Sequence, residues 1–345
     1  MSWGHCSNFS ISMFKAAFIL LLVAFQGGPS NDLFLVNHGH PVLDAHNCYP
    51  QDGKWTERID RALSTGFPVA IEQDIAPYVD PGSGKVIAKV THRSQADARD
   101  PTLKHYFFDR VKPIVERALK ENKRDSWPLI ILHFDFKNND PATLEAVWSL
   151  LGEYPDWITT GAKTQTDDEL SPLDWKPLLV LTEDNDTQEQ VFYKQLAVGD
   201  KLRLFGSAHL NENAFAGLDI KQREYALAHA APDVLLPTRA TNYRRWWNNS
   251  WLEVEEGGQR HAGAWTAADD QRLRALVDNA HRRGYWIRFY TLDGFALGED
   301  QGWGNSYNFG SLAAVQKRWK AALDAGVDLI ATDQYEALGA FMHKR

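Results

Sequence analysis

The sequence predicts an α/β protein, specifically a (β/α)8 TIM barrel in a single domain with insertions after strands 2 and 6. From residue 42 onward, short apolar runs alternate with amphipathic stretches. The runs are continuously apolar, which is typical of parallel strands that are buried on both faces. Eight such units in about 300 residues fit a closed barrel better than an open sheet. No glycine-rich dinucleotide loop follows the first run, which further disfavours the open sheet.

The predicted strands are PVLDAHN (41–47), PVAIEQDI (68–75), PLIILHFDF (128–136), PLLVLTE (177–183), LRLFGSA (202–208), DVLLPT (233–238), GYWIRFYT (284–291) and GVDLIAT (326–332). Several of the helical stretches between them end in glycine, which is a usual C-terminal signal. Two segments interrupt the alternation: a turn-rich hairpin at 78–95 and an aromatic loop at 239–265. Long insertions after barrel strands usually belong to the active-site face.

The N-terminal segment differs in composition from the rest of the chain. Lys15 precedes an apolar run at 16–25, and small, turn-forming residues follow it. This pattern predicts a secretory signal peptide at 1–28, because the run is shorter than the roughly 20 residues that span a bilayer. We therefore expect one domain over 29–345 and a secreted or periplasmic protein. An uncleaved anchor or a misassigned start codon is the alternative.

Charge and cysteine content limit the partners that the protein can have. The net charge is −8, which argues against nucleic acid as a partner because phosphate binding needs clustered basic residues. Cys48 is the single cysteine beyond the predicted signal peptide, so internal disulfides are not expected. We interpret Cys48 as a small buried residue in preference to a nucleophile. We expect a monomer with at most transient contact with a membrane surface.

The second predicted strand carries two carboxylates near its end, Glu72 and Asp74. Strand side chains alternate between faces, so these two point the same way. At the mouth of a barrel, such a pair suits a hard divalent cation such as Mg²⁺ or Ca²⁺. The alternative is a pair that is satisfied by arginine or by backbone amides.

Polar residues at the ends of neighbouring strands favour the metal interpretation. His46 ends the first strand, and His92 follows the hairpin after the second strand. Asp135 and Lys137 lie on one face at the end of the third strand. Because a barrel brings these ends together, we expect one site that holds histidines, carboxylates and a lysine.

The ordered motifs AHN, IEQD, VTHR and HFDFK identify a resemblance to a known family. The chain resembles the phospholipase C-like phosphodiesterases, in the branch of glycerophosphodiester phosphodiesterases and sphingomyelinase D. The segments RGYWIRFYTLDG and AGVDLIATDQYEAL look like the last two strands of that family, so the resemblance covers about 41–340. The Asp-x-Lys form at Asp135 is more similar to sphingomyelinase D than to glycerophosphodiesterases, which usually carry Glu at this position.

The resemblance implies a role for each matched residue. His46 and His92 correspond to the catalytic histidines, and Glu72, Asp74 and Asp135 correspond to ligands of a divalent cation. Lys137 corresponds to the lysine that holds the phosphate and assists catalysis. Imidazole suits proton transfer because its pKa lies near neutrality, but which histidine acts as acid stays open, as does whether water or a substrate hydroxyl attacks.

We therefore expect a metal-dependent phosphoric diester hydrolase that acts on glycerophosphodiesters or phospholipid head groups. One alternative is a metal-independent, phosphoinositide-type phospholipase C or lyase on the same barrel. A non-catalytic ligand-binding barrel is the other, since a barrel alone does not specify chemistry.

Several other residues could belong to the site. Trp247, in the predicted aromatic loop, is a candidate to bind the substrate head group, or it packs within a lid. His133 is interpreted as a hydrogen-bonded core histidine. Glu183 and His209 could line the pocket. The pair His38 and His40 precedes the first strand, so we expect it to lie away from the mouth.

Overall fold

The computed structural model describes residue 1 and residues 41–260, 262–296, 298–299 and 308–344. Apart from residue 1, the predicted signal peptide at 1–28 lies outside the described residues, as does the histidine pair at 38 and 40.

Eight parallel strands close into a barrel, as the sequence predicts. The strands are β1 (Val42–Ala45), β2 (Val69–Val79), β3 (Val86–Val90), β4 (Ile130–Phe136), β5 (Gly161–Ala162), β6 (Leu178–Thr182), β7 (Lys201–Leu202), β8 (Phe205–Ser207), β9 (Arg244–Ser250), β10 (Trp286–Tyr290) and β11 (Leu329–Thr332). The barrel order is β1-β11-β10-β9-β8-β6-β4-β2, and parallel pairing of β1 with β2 closes it. Strands β5 and β7 form a separate two-stranded sheet.

Helices surround the barrel and cover its outer face. They are α1 (Arg58–Ser64), α2 (Asp109–Glu121), α3 (Pro141–Leu151), α4 (Asp186–Glu189), α5 (Ile220–His229), α6 (Pro232–Leu235), α7 (Ala267–Arg282), α8 (Leu312–Ala325) and α9 (Tyr335–Met342). π-Helical turns at Lys104–Phe108 and Gln190–Lys194 adjoin α2 and α4. Single 3₁₀ turns occur at Arg124–Ser126, Glu212–Phe215, Trp251–Glu253 and Gly258–Arg260. In the described part of the chain, none of the helices combines the length and the apolar character needed to cross a membrane.

The insertion after the second strand has the predicted hairpin form. Strand β3 pairs antiparallel with the outer half of β2, from Ile75 opposite Val90 to Val79 opposite Val86. The Thr91 amide then donates to the Asp74 carbonyl, at 3.0 Å. This pairing carries the chain back to the mouth of the barrel, where His92 follows.

The bounds of the predicted sixth strand are wrong, and the insertion after the sixth barrel strand begins later than the sequence predicts. Residues 233–238 contribute to α6, which begins with Pro232 at a position where proline favours a helix. The sixth barrel strand is β9, which lies inside the segment that the sequence predicts as an aromatic loop. The segment between β9 and α7 is a shorter connection that contains two 3₁₀ turns.

The physical reason is that partners distant in sequence satisfy two buried arginines. Arg244 and Arg245 open β9 and are each 5% exposed, which a local reading of charge does not anticipate. Arg244 binds Asp184 at 2.9 Å and Glu189 at 2.8 Å, far away in sequence. Arg245 donates to the Ser171 carbonyl at 2.9 Å. Buried guanidinium groups are tolerated when carboxylates or other acceptors satisfy their donors, as they do here.

Candidate active site

A cavity of about 310 Å³ lies at the carboxyl ends of the barrel strands. Its lining combines carboxylates, cations, amides and one aromatic ring: His46, Asn47, Glu72, His92, Asp135, Lys137, Glu183, Asn248, Arg288 and Tyr290. Five of the six predicted catalytic and metal-binding residues thus line one cavity, and the sixth, Asp74, lies directly behind it in contact with His92 and Lys137. The cavity is at the barrel face where enzymes of this architecture place their catalytic groups.

Strand register explains why the carboxylates meet. On the adjacent strands β2 and β4, Glu72 lies beside His133 and Asp74 lies beside Asp135. Neighbours in a parallel ladder share a face, and residues two apart on one strand share it too. All four side chains therefore point into the barrel at its upper end.

His46 is held through its Nδ1 atom by a carboxylate from the opposite end of the chain. Its Nδ1 lies 2.9 Å from Asp333 Oδ1, while its Nε2 lies 3.9 Å from Glu72 Oε1. Burial lowers the pKa of His46, but the carboxylates of Glu72 and Asp333 outweigh it and raise the pKa to about 9. The ring stacks on Tyr290 with centroids 6.0 Å apart. Asp333 thus fixes the orientation of the ring, with the Nε2 edge turned toward Glu72.

His92, at the other side of the cavity, is likewise held by a carboxylate through its Nδ1 atom. Its Nδ1 lies 2.6 Å from Asp74 Oδ2 and 3.0 Å from the Tyr49 hydroxyl. Its side chain is 57% exposed, so the ring edge that carries Nε2 is accessible from solvent. Two histidines that are each oriented by a carboxylate resemble a general acid and base pair in form.

Three carboxylates form a group that fits a hard divalent cation. Glu72, Asp74 and Asp135 each offer an oxygen, and these oxygens lie within 4.8 Å of one another. Asp74 Oδ1 is buried and has no hydrogen-bond partner among the described residues. Burial and the neighbouring Asp74 raise the pKa of Asp135 to about 6. An all-oxygen donor set with an unused buried oxygen suits Mg²⁺ or Ca²⁺.

The same carboxylates also contact two resident cations. Lys137 Nζ lies 2.9 Å from Asp74 Oδ2 and 2.7 Å from Asp135 Oδ2. Arg288 Nη2 lies 2.6 Å from Glu72 Oε2, and Arg288 Nε pairs with Asp44. Burial opposes the charge of Lys137, but Asp74 and Asp135 outweigh it and raise its pKa. A metal at this position would share its ligands with these two side chains.

The charges around the cavity still leave an excess of acid. The carboxylates linked to it are Asp44, Glu72, Asp74, Asp135, Glu183 and Asp333. The basic groups linked to it are His46, His92, His133, Lys137 and Arg288. Even with every one of these histidines protonated, the cluster keeps one negative charge. Such a cluster attracts a further cation.

Sequence reasoning missed two of the groups that build the site. Arg288 is 1% exposed inside β10, and Asp333 follows β11. Arg288 was detectable, because it is the single charged residue in the apolar run GYWIRFYT. Asp333 had no such signal, since its partner His46 is 287 positions away in sequence.

Glu183 lies in the cavity wall, while His133 is a buried partner beneath it. His133 is fully buried, and its Nε2 lies 2.6 Å from Glu183 Oε1, as expected for a hydrogen-bonded core histidine. Asn248 Nδ2 donates to both Glu183 oxygens at 3.1 Å. His209 is not part of the cavity lining and binds Asp184.

The predicted substrate contact of Trp247 is wrong. Trp247 is 1% exposed, belongs to the hydrophobic core and is not among the cavity-lining residues. Its place on a strand explains this, because Asn248 next to it faces the cavity and side chains alternate. Cys48 is likewise buried, and burial raises the pKa of its thiol, as a structural cysteine requires.

No family model matches the chain, and no curated protein matches it. Solved structures that it is similar to include a glycerophosphoryl diester phosphodiesterase from Parabacteroides distasonis, at 12% identity, with 92% of each chain covered and a TM-score of 0.40. A Burkholderia cenocepacia dihydropteroate synthase has 13% identity, 88% and 90% coverage and a TM-score of 0.38. A Bacteroides ovatus GH5 xyloglucanase has 12% identity and a TM-score of 0.39, with 91% of this chain and 76% of the xyloglucanase chain covered. These scores are low and the activities differ, so the likenesses carry no argument about function.

Proposed function

We propose that the protein is a metal-dependent phosphoric diester hydrolase that acts on glycerophosphodiesters or phospholipid head groups. The observation that carries the proposal is that a pair of oriented histidines and a group of three carboxylates meet at one cavity. His46 and His92 are each oriented by a carboxylate through Nδ1. Between them lies the carboxylate group of Glu72, Asp74 and Asp135, with Lys137 beside it.

The two histidines would divide the proton transfers. Glu72 and Asp333 favour the protonated form of His46, which suits it to protonate the leaving oxygen. His92 would then take the proton from the attacking hydroxyl or water. In both cases Nδ1 is occupied and Nε2 would meet the substrate, so the carboxylates fix ring orientation as well as charge.

Cationic groups would stabilise the phosphodiester and its transition state. Glu72, Asp74 and Asp135 would hold the divalent cation, which supplies positive charge next to the non-bridging phosphate oxygens. Lys137 Nζ would approach the same oxygens from its place between Asp74 and Asp135. His46 and Glu72 are buried in the cavity wall, and burial strengthens electrostatic interactions of this kind.

A second candidate function follows from the resident cations. Lys137 and Arg288 already contact all three carboxylates, which is the arrangement expected if the chain needed no metal. The chain would then be a metal-independent phosphodiesterase or lyase of the phosphoinositide type. The excess of acid in the cluster and the unused Asp74 Oδ1 favour the metal-dependent function.

The test is hydrolysis of bis(p-nitrophenyl) phosphate, glycerophosphocholine and lysophosphatidylcholine, with EDTA, with Mg²⁺ and with Ca²⁺. We expect turnover that EDTA abolishes and that an added cation restores. Undiminished turnover in EDTA would instead establish the metal-independent function. Absence of turnover on all three, combined with tight binding of one, would indicate a ligand-binding barrel.

A matched pair of variants links the activity to the carboxylate group. Asp135→Asn should abolish calorimetric Mg²⁺ binding together with hydrolysis. Glu253→Gln is the control, because Glu253 is also a buried acid but is not among the cavity-lining residues. If Asp135→Asn bound Mg²⁺ and turned over like the control, the metal assignment would be wrong.

A further inference from the structure

A chain of hydrogen bonds along the cavity wall joins the two histidines. Asn47 Nδ2 donates to both oxygens of Asp333, at 3.1 and 3.2 Å, and Asp333 holds His46. The Tyr49 hydroxyl donates to Asn47 Oδ1 at 2.7 Å and lies 3.0 Å from His92 Nδ1. Asn47 and Tyr49 thus connect the two candidate catalytic groups within one short loop.

The direction of these bonds determines what Tyr49 offers to His92. The hydroxyl proton is used by Asn47 Oδ1, so the oxygen faces His92 Nδ1 as an acceptor. Asp74 Oδ2, at 2.6 Å from the same nitrogen, is an acceptor as well. With acceptors on this side, Nδ1 must carry a proton, and in the neutral ring Nε2 carries a lone pair.

The loop that holds this chain is itself fixed. Tyr49 is fully buried, and its ring stacks on His92 with an interplanar angle of 7°. Asn47 adopts a left-handed conformation with φ of 51°, which asparagine tolerates better than most residues.

Two further bonds hold the backbone of the loop. Arg58 Nη1 donates to the Asn47 carbonyl at 2.6 Å. The Tyr335 hydroxyl donates to the His46 carbonyl at 2.7 Å. Because these bonds fix the backbone, Tyr49 can be changed to phenylalanine without releasing the loop.

We propose that Tyr49 is a positioning residue that fixes His92 in its Nδ1-protonated tautomer, and that Asn47 couples this arrangement to the Asp333–His46 pair. The kinetic part of this proposal rests on the proposed function, because it assigns Tyr49 a role in turnover. Tyr49 contacts the ring of His92 from behind and does not line the cavity. Its loss should therefore slow the chemical step and leave substrate binding unchanged.

The test compares Tyr49→Phe with Tyr106→Phe. The hydroxyl of Tyr106 is also buried but has no hydrogen-bond partner among the described residues, so its removal is a matched control. We expect kcat of Tyr49→Phe to fall about tenfold with KM unchanged, as the loss of one orienting hydrogen bond implies. Tyr106→Phe should match the wild type. Equal kinetics for the two variants would overturn the proposal.

A spectroscopic measurement does not depend on turnover. Long-range ¹H–¹⁵N correlation spectra of the imidazole rings report the tautomer, and His92→Gln identifies the His92 signals. In the wild type we expect the Nδ1-protonated form, and in Tyr49→Phe a larger share of the other tautomer. A wild-type His92 whose neutral ring carries its proton on Nε2 and not on Nδ1 would overturn the proposal, even if Tyr49→Phe failed to fold. If the tautomers are as expected but the chain hydrolyses none of the phosphodiesters, the proposed function is contradicted and the tautomer assignment stands.

Discussion

Replacing Arg288 with methionine tests the electrostatic basis of the site. Arg288 is 1% exposed and contacts three groups inside the barrel. Its Nη2 lies 2.6 Å from Glu72 Oε2, its Nη1 donates to Asn248 Oδ1 at 2.8 Å, and its Nε pairs with Asp44. Methionine keeps much of the side-chain volume and removes every donor, so Asp44 and Glu72 lose their shared cation.

The magnitude follows from the cost of leaving a buried charge without its partner. Removing one member of a buried pair costs about 3–5 kcal/mol, and here two carboxylates share the loss, so we expect the upper part of that range. The entropy of unfolding is about 2.1 cal/mol/K per residue, so in a chain of this size 1 kcal/mol corresponds to roughly 1.5 °C in Tm, and Tm should fall by about 6–8 °C.

The assay is urea denaturation of Arg288→Met, Glu72→Gln and the double variant. Neutralising Glu72 removes one of the orphaned charges, so the double variant should be about 2 kcal/mol more stable than additivity predicts. Arg318→Met is the control: Arg318 is 2% exposed and binds Glu255 at 2.7 Å, outside the cavity lining. The control should lose stability while it keeps Mg²⁺ binding and hydrolysis. A loss below about 1 kcal/mol in Arg288→Met, or strict additivity in the double variant, would refute the reasoning.

Three further predictions concern the histidines and the cavity wall. Asp333→Asn should lower kcat about 100-fold in steady-state kinetics, because His46 loses the carboxylate that fixes its tautomer; unchanged kcat would exclude that role. The pKa of His46 is raised to about 9, so its contribution to stability should be present below pH 6.5 and lost as pH rises through 9. In denaturation of the EDTA-treated chain, the free energy of unfolding should fall by about 3 kcal/mol over this pH range. If a His46→Gln variant showed the same pH dependence, the assignment to His46 would be wrong. Tyr290→Ala should raise KM, whereas Trp247→Phe should leave KM unchanged; the reverse result would restore Trp247 as a substrate contact.

The barrel could be predicted because its strands are apolar on both faces. Continuous runs such as the one that contains β4 identify buried parallel strands without any knowledge of their partners. The site residues that end those strands, such as His46 and Lys137, could be found for the same reason. Their position in the sequence places them at the mouth once the barrel is assumed.

The features that prediction missed depend on contacts between distant segments. Arg244 and Arg245 look like loop residues until Asp184, Glu189 and the Ser171 carbonyl are placed beside them. The partnership of Asp333 with His46 likewise exists only after β11 has paired with β1. Local patterns report burial well, but they do not report which distant group satisfies a buried charge.

The most direct test of the central claim is the rate of bis(p-nitrophenyl) phosphate hydrolysis by the EDTA-treated chain, before and after Mg²⁺ or Ca²⁺ is returned. If Glu72, Asp74 and Asp135 hold a catalytic cation, the rate should be near zero before the addition and should saturate at one equivalent of bound metal. A full rate in EDTA, unaffected by either cation, would contradict the account and leave Lys137 and Arg288 as the cations that serve the site.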